Sequence, residues 1–183
     1  MATLKLGSTT AISESSGAIT YDAGTIGSNI VFPAGHVVKT VFGTKVTAED
    51  AHSADTWAAT GLSVTIDPIF NNSTILITHQ WTYHWNAQNG NCKGKSIIKN
   101  DTAGTYVQGS MAMHYRRDTG TSNHYGNKGV YLFAYETLST GAAQTYQLYA
   151  RAISGTFYYF NASSYGTGAE DTAGLIMAQE IKN

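Results

Sequence analysis

Apolar and polar residues alternate with a period of two along much of this chain. The pattern is clearest in residues 74–85, TILITHQWTYHW. One alternate set there is largely apolar and aromatic: Ile75, Ile77, His79, Trp81, Tyr83 and Trp85. The intervening positions are mostly Thr, Gln and His. Because successive side chains of a β-strand point to opposite faces, this pattern predicts a strand with one buried and one wetter face.

Further segments rich in β-branched and aromatic residues also predict strands. They are residues 37–46, 62–66, 94–99, 105–116, 129–136, 144–153, 156–161 and 173–181. Tracts rich in Gly, Asn, Asp and Ser separate them, as expected for turns. Residues 153–156 (ISGT) predict a tight hairpin in which Gly155 takes a positive φ.

Helical spacing of apolar residues is not sustained anywhere along the chain. Residues 47–59 begin with a plausible Thr cap, but we interpret them as a loop with at most one helical turn. A set of about nine short strands, each with one wetted face, predicts an all-β fold, an antiparallel β-sandwich or jelly roll.

The start of the chain differs from the rest. It is rich in Gly, Ser and Thr and carries only isolated apolar pairs, so it cannot build a core of its own. We therefore expect residues 1–36 to form an extended N-terminal docking or assembly segment, lying against a sister subunit or another partner. Residues 37–183 are expected to form the jelly-roll domain.

Composition narrows the function classes. Charged residues make up 13% of the 183 residues, the formal net charge is −1, and Lys and Arg form no run. This argues against binding to nucleic acid or anionic membranes through phosphate charge. No stretch is long and apolar enough for a membrane span or a signal peptide. We therefore expect that the protein is made in a cytoplasm and does not insert into a membrane. The single cysteine, Cys92, cannot form an internal disulfide and is interpreted as a loop or half-buried thiol.

Residues 49–55 are the strongest candidate for a metal site, with Glu49, Asp50, His52 and Asp55 close in sequence. Their spacing fits no EF-hand loop, so we interpret them as a solvated loop. His79 and His84 fall on opposite strand faces and cannot share a metal within one chain. One of them at a three-fold axis would give a three-His site, but a hydrogen-bonded His among aromatic residues is the preferred interpretation.

Catalytic signatures are missing from the sequence. It contains no nucleophile elbow, no zinc-protease motif, no P-loop and no dinucleotide fingerprint. The carboxylates lie mostly in predicted turns, which does not indicate the facing pair that glycosidases use. We therefore predict no catalytic residue, no metal ligand and no cofactor.

Aromatic residues and one polar loop are the remaining candidates for contacts. We interpret Trp81, Tyr83, Trp85, Tyr158 and Phe160 as packing residues of the core or of a trimer contact. The alternative is a platform on which sugars stack, since Tyr and Trp are common in both settings. The polar loop 117–129 is the candidate exposed contact loop, with Asn123, His124, Tyr125 and Asn127 as its binding residues.

Four segments together resemble structural proteins of marine tailed-bacteriophage particles. They are IVFPAGHVVKTV (30–41), DTWAATGLSVTIDPIFNNSTILI (55–77), QTYQLYARAISGTFYYFN (144–161) and TAGLIMAQEI (172–181). The resemblance covers roughly residues 30–183 and implies a TNF/C1q-like jelly roll, usually trimeric, mounted on fibres, tail tips or capsids. One departure is that the acidic residue usual after the last Met stands two positions later, at Glu180.

The expected function is that of a non-enzymatic virion structural protein. It would form a homotrimeric surface projection, contact other virion proteins through residues 1–36 and take part in host attachment, with a host surface glycan as a candidate partner. The alternatives are a carbohydrate-binding receptor module and a capsule depolymerase. We also expect assembly to depend weakly on salt, since buried apolar faces would hold it together.

Overall fold

The structure is a computed structural model and contains β-strands as its regular elements wherever it is described. It describes residues 3–6, 9–15, 18–20, 33–43, 50–87, 91–117, 124–159 and 174–183. The chain divides into two compact units, Met1–Phe32 and Pro33–Asn183. Over the described ranges, no helix has the length and apolarity needed to cross a membrane.

The first unit contains three short strands in one antiparallel sheet. They are β1 (Thr3–Leu6), β2 (Thr9–Ser15) and β3 (Ala18–Thr20), in the order β1-β2-β3. The composition of residues 1–36 predicts an extended segment, and its isolated apolar pairs do not indicate these three strands. The docking role expected for residues 1–36 stays a prediction.

The second unit contains two antiparallel sheets. Its strands are β4 (Val37–Phe42), β5 (Asp50–His52), β6 (Ala58–Ile66), β7 (Ser73–Ala87), β8 (Asn91–Asn100), β9 (Thr105–Tyr106), β10 (Ala112–Arg117), β11 (His124–Thr137), β12 (Gln144–Ser154), β13 (Thr156–Tyr159) and β14 (Leu175–Lys182). The five-stranded sheet has the order β10-β8-β12-β6, with β9 also paired to β8. The six-stranded sheet contains β4, β5, β7, β11, β13 and β14.

Strand β7 organises the six-stranded sheet. Its residues 74–80 pair with β11 and also with β14. Because a strand has only two edges, β11 lies on the side of β7 opposite to β14. β4 pairs with the far side of β14, while β13 and then β5 extend the sheet from the other end of β7. Among the described strands, β11 and β4 therefore form opposite edges of this sheet.

The core lies between the two sheets and follows the alternation in the sequence. In β7, Ile75, Ile77, His79 and Trp81 are all fully buried, as the period-two pattern predicted. Ile75, Ile77 and Trp81 pack in one cluster with residues of the five-stranded sheet and of β14: Leu62, Val64, Ile66, Ile98, Tyr146, Leu148, Ile176 and Ala178. Each large apolar side chain contributes about 1.5–3 kcal/mol on burial. The predicted antiparallel β-sandwich of jelly-roll type is confirmed.

One predicted strand is two strands in the structure. Residues 105–116 form β9 and β10, separated by a turn in which Gly109 has a φ of 77°. Ser110 holds this turn, since its hydroxyl lies 2.6 Å from the Val107 carbonyl oxygen and accepts the Ile98 amide at 3.0 Å. The segment is rich in strand-forming residues, so its composition predicted one continuous strand. The turn within it is fixed by side-chain hydrogen bonds, which composition does not reveal.

Three further predictions about local structure were wrong. Gly155 has the predicted positive φ, 73°, but it joins β12 of one sheet to β13 of the other, so it makes a corner and not a hairpin. Asp50–His52, expected in a loop, form β5 because they pair with β13. Cys92, expected in a loop or as a half-buried thiol, lies in β8 opposite Arg116, so the loop is wrong and the burial of the thiol stays a prediction.

Candidate functional site

The outer face of the six-stranded sheet carries no charge at its described positions. Directly opposed residues of antiparallel strands share a face, so the strand register defines rows across the sheet. One row runs from Phe133 through Thr78 and Met177 to Phe42. Its two end residues are the most exposed, with Phe133 at 56% and Phe42 at 67%.

Neighbouring rows repeat the same chemistry. Tyr135, Leu76, Gln179 and Thr40 form the next row, and Tyr135 is 70% exposed. We call this surface the uncharged face. Its described members are Val37, Thr40, Phe42, Thr74, Leu76, Thr78, Gln80, Phe133, Tyr135, Thr137, Leu175, Met177, Gln179 and Ile181. Large exposed apolar side chains grouped on one sheet face are characteristic of a surface that is covered in the assembled protein.

The outer face of the five-stranded sheet has the opposite character. Lys99 pairs with Asp101 at 3.1 Å, and Arg151 pairs with Asp55 at 3.4 Å. Lys99 also lies 5.0 Å from the Tyr149 ring centre. The hydrogen bond to Asp101 raises the pKa of the Lys99 ammonium. Charges of both signs are therefore concentrated on this face, which suits contact with water.

A cleft opens where the turn after β9 approaches the end of β11. Its described lining residues are Tyr106, Val107, Gln108, Gly109, Tyr135 and Glu136, and its volume is about 550 Å³. We call it the Glu136 cleft. Tyr106 and Tyr135 are 44% and 70% exposed. The cleft therefore combines two accessible aromatic rings with one carboxylate.

The Glu136 carboxylate is held from behind by core residues. Its Oε2 accepts the Tyr146 hydroxyl at 2.8 Å and the Asn100 amide at 2.9 Å. Asn100 is in turn bonded to Gln144 at 3.0 Å. Burial, and then the hydrogen bond to Glu136, raise the pKa of Tyr146, so its hydroxyl stays protonated as the donor. These two hydrogen bonds fix the orientation of the carboxylate.

A second carboxylate, Glu180, is fully buried at the end of β14. Its two oxygens accept the backbone amides of Ile69 at 2.8 Å and Phe70 at 2.9 Å. Glu180 therefore fixes the loop that leads from β6 into β7. The sequence showed an acidic residue displaced along β14, and the alternation of that strand directs it inward.

His79 is a buried histidine stacked on an indole. Its ring lies 4.5 Å from the Trp81 ring with only 5° between their planes, and His114 approaches the same indole edge-on at 6.3 Å. Within the described part of the chain, neither ring nitrogen of His79 has a hydrogen-bond partner. Burial lowers the pKa of His79 to about 3, so its imidazole is neutral at pH 7.

The predicted packing aromatics are only partly described. Trp81 is fully buried in the core between the sheets. Tyr83 and Trp85 lie in β7, where their backbones pair with β11 and β13. Tyr158 lies in β13, and Phe160 falls outside the described residues. A trimer contact by these four other aromatics stays a prediction.

The predicted contact loop is shorter than the sequence suggested. His124, Tyr125 and Asn127 belong to β11, where they pair with Ala87, Asn86 and His84 of β7. Asn123 lies outside the described residues. Pairing with the long strand β7 extends β11 into the segment interpreted as a loop, and the binding role of these residues stays a prediction.

The acidic segment at 49–55 divides between two settings. Asp50 and His52 lie in β5, and Asp55 pairs with Arg151, while Glu49 falls outside the described residues. Over the ranges that the structure covers, no group of three His, Cys, Asp or Glu residues could hold a metal ion.

Comparison with known proteins gives structural matches alone. No family model and no curated protein matches this chain. Solved structures do, among them the Eiger TNF of S. frugiperda, with a TM-score of 0.41 and 9% identity. That alignment covers 81% of this chain and 96% of the Eiger chain. The β-sandwich assignment rests on the strands and their pairing.

Proposed function

We propose that this protein is a non-enzymatic structural module that assembles as a homotrimer through its uncharged face. The observation that carries the proposal is the contrast between its two sheet surfaces. Phe42 and Phe133 are exposed on a face without charge, whereas Lys99 and Arg151 occupy the other face. Covering the first face removes apolar area from water at about 25 cal/mol per Å² and desolvates no charge.

Copies of the same chain suit this surface because it contains nothing that repels itself. Phe42 is on β4 and Phe133 on β11, at opposite edges of the sheet. A contact between the β4 edge of one copy and the β11 edge of the next is heterologous, and such contacts close into rings when the rotation permits. A three-fold ring would bury both exposed phenylalanines in every copy.

Polar groups inside the sandwich support a structural role. Glu180 accepts two backbone amides, and Glu136 accepts Tyr146 and Asn100. His79 is neutral and stacked on Trp81. Each of these groups is engaged with the fold itself. Among the described residues, none of them is arranged with the nucleophile, base and oxyanion donors that hydrolysis requires.

We place the trimer on a tailed-phage particle, as a fibre, tail-tip or capsid projection that takes part in host attachment. The support is the resemblance of residues 30–41, 55–77, 144–161 and 172–181 to phage particle proteins. Met1–Phe32 forms a compact unit of its own, which suits a segment that contacts other virion proteins. Two measurements on purified phage particles test this placement. We expect the chain to be found in the particles and residues 1–36 to cross-link to another virion protein.

Replacing Phe133 or Phe42 by Glu is expected to convert the trimer into monomers. Each change places three like charges in one ring and desolvates them, at a cost of about 3 kcal/mol or more per contact. For each subunit contact, this cost lowers the association constant by roughly a hundredfold or more. Light scattering coupled to size exclusion measures the mass, and wild-type trimers are expected to persist in 1 M salt.

The matched control is Met113→Glu. Met113 is 71% exposed, but it lies on β10 of the other sheet, so this variant should remain trimeric. A wild-type protein that is monomeric at micromolar concentration contradicts the proposal. So do Phe133→Glu and Phe42→Glu variants that keep the trimeric mass.

A further inference from the structure

We propose that the Glu136 cleft binds a neutral saccharide. Its volume of about 550 Å³ falls within the roughly 300–1,000 Å³ of small-molecule sites. Its lining combines Tyr106 and Tyr135 with the Glu136 carboxylate. This inference goes beyond the assembly function, because a single copy of the chain supplies all of these lining residues.

The tyrosines supply the apolar part of the recognition. Tyr106 belongs to β9 of the five-stranded sheet and Tyr135 to β11 of the six-stranded sheet, so the two sheets hold them on separate strands. In a single copy the rings are 44% and 70% exposed. Tyr135 also belongs to the uncharged face, so Tyr106 is the ring that the trimer leaves accessible to a sugar. The C–H face of a pyranose packs on such rings, and a Tyr ring loses little conformational entropy in doing so.

Glu136 supplies the polar part. Both of its hydrogen bonds within the described residues, from Tyr146 and Asn100, end on Oε2. In this proposal Oε1 of the same carboxylate accepts sugar hydroxyls, since hydrogen bonds to a charged acceptor are about twice as strong as neutral ones. The two fixed bonds to Oε2 orient the group before the ligand arrives, which lowers the entropic cost of binding.

The negative charge of Glu136 favours neutral saccharides over acidic ones. The described lining contains one carboxylate and no Lys, Arg or His. A uronic or sialic acid would place a second negative charge beside Glu136 without a compensating cation. The geometry therefore fits neutral hexose or N-acetylhexosamine units, and it disfavours acidic sugars.

Binding is tested on the intact protein with an array of neutral and acidic bacterial oligosaccharides, followed by calorimetric titration of the best neutral ligand. We expect saturable binding of at least one neutral oligosaccharide and weaker binding of its uronic-acid counterpart. Tyr106→Ala is expected to weaken affinity at least tenfold, and Glu136→Gln about tenfold. Tyr106 is chosen because it lies outside the uncharged face, so trimeric mass should stay unchanged.

Met113→Ala is the matched control, since Met113 is exposed near the same edge but does not line the cleft. It should bind the oligosaccharide as the wild type does. Glu136→Gln could also lower the melting temperature, so Gln108→Ala serves as a second variant of the cleft lining. Gln108→Ala leaves the hydrogen bond between Tyr146 and Glu136 in place, and we expect it to weaken sugar binding at least threefold. No neutral ligand on the array, preferential binding of uronic acids, or full affinity in Tyr106→Ala overturns the inference. None of these outcomes changes the trimer measurement.

Discussion

Lowering the pH from 7 to 3 is expected to remove about 4 kcal/mol of folding stability through His79 alone. The pKa of His79 is 6.5 when the side chain is solvated and about 3 in the folded protein, because burial disfavours the charged imidazolium. At about 1.4 kcal/mol per unit, this difference amounts to a large share of the stability of an ordinary domain.

The sign follows from proton binding. Between pH 6.5 and 3, the unfolded chain protonates His79 while the folded chain keeps it neutral. Protons therefore favour the unfolded state, and stability falls steadily as the pH drops through this window. Above pH 6.5 the neutral form prevails in both states, and the contribution of His79 to stability is fully present.

Urea unfolding at a series of pH values, at one fixed protein concentration, measures the effect. His79→Leu should match the wild type within about 1.5 kcal/mol at pH 7 and exceed its stability by roughly 3 kcal/mol at pH 4. His36→Leu is the control for loss of a histidine at an exposed position. Parallel pH profiles for His79→Leu and the wild type would contradict the prediction.

Periodicity predicted the core of this protein well, because burial between two sheets enforces a strict alternation. Ile75, Ile77, His79 and Trp81 were placed on one face by counting alone, and all of them are buried. Periodicity could not reveal which strands share a sheet. Thus the corner at Gly155 was taken for a hairpin, since sequence shows the positive φ but not the sheet to which the next strand belongs.

The two candidate surfaces were harder to predict for the same reason. Phe42, Met177, Thr78 and Phe133 come from four strands that are distant in sequence, and only the strand register places them in one row. The Glu136 cleft depends on the turn at Gly109, which lies inside a segment that reads as one strand. Long-range pairing of this kind leaves no local periodicity in the sequence.

Glu180 is expected to be the most costly carboxylate to replace. It is fully buried, and its oxygens accept the amides of Ile69 and Phe70. Each hydrogen bond to a charged acceptor contributes about 1.5–3 kcal/mol, and removal of the acceptor strips the loop before β7 of both bonds. We expect Glu180→Ala to lower the free energy of unfolding by about 3–5 kcal/mol.

The substitution Glu180→Gln removes the negative charge of the side chain but keeps its size and shape, so it measures the contribution of the charge to stability. A Gln amide keeps one acceptor oxygen but turns its NH₂ group towards the other backbone N–H, so about 2–3 kcal/mol should be lost with little change in volume. Asp55→Ala is the control, because an exposed ion pair such as that between Asp55 and Arg151 contributes less than about 1 kcal/mol. Urea unfolding at pH 7 gives all three values. If Glu180→Gln is as stable as the wild type, the carboxylate does not hold the loop, and backbone contacts alone must place β7 in the sandwich.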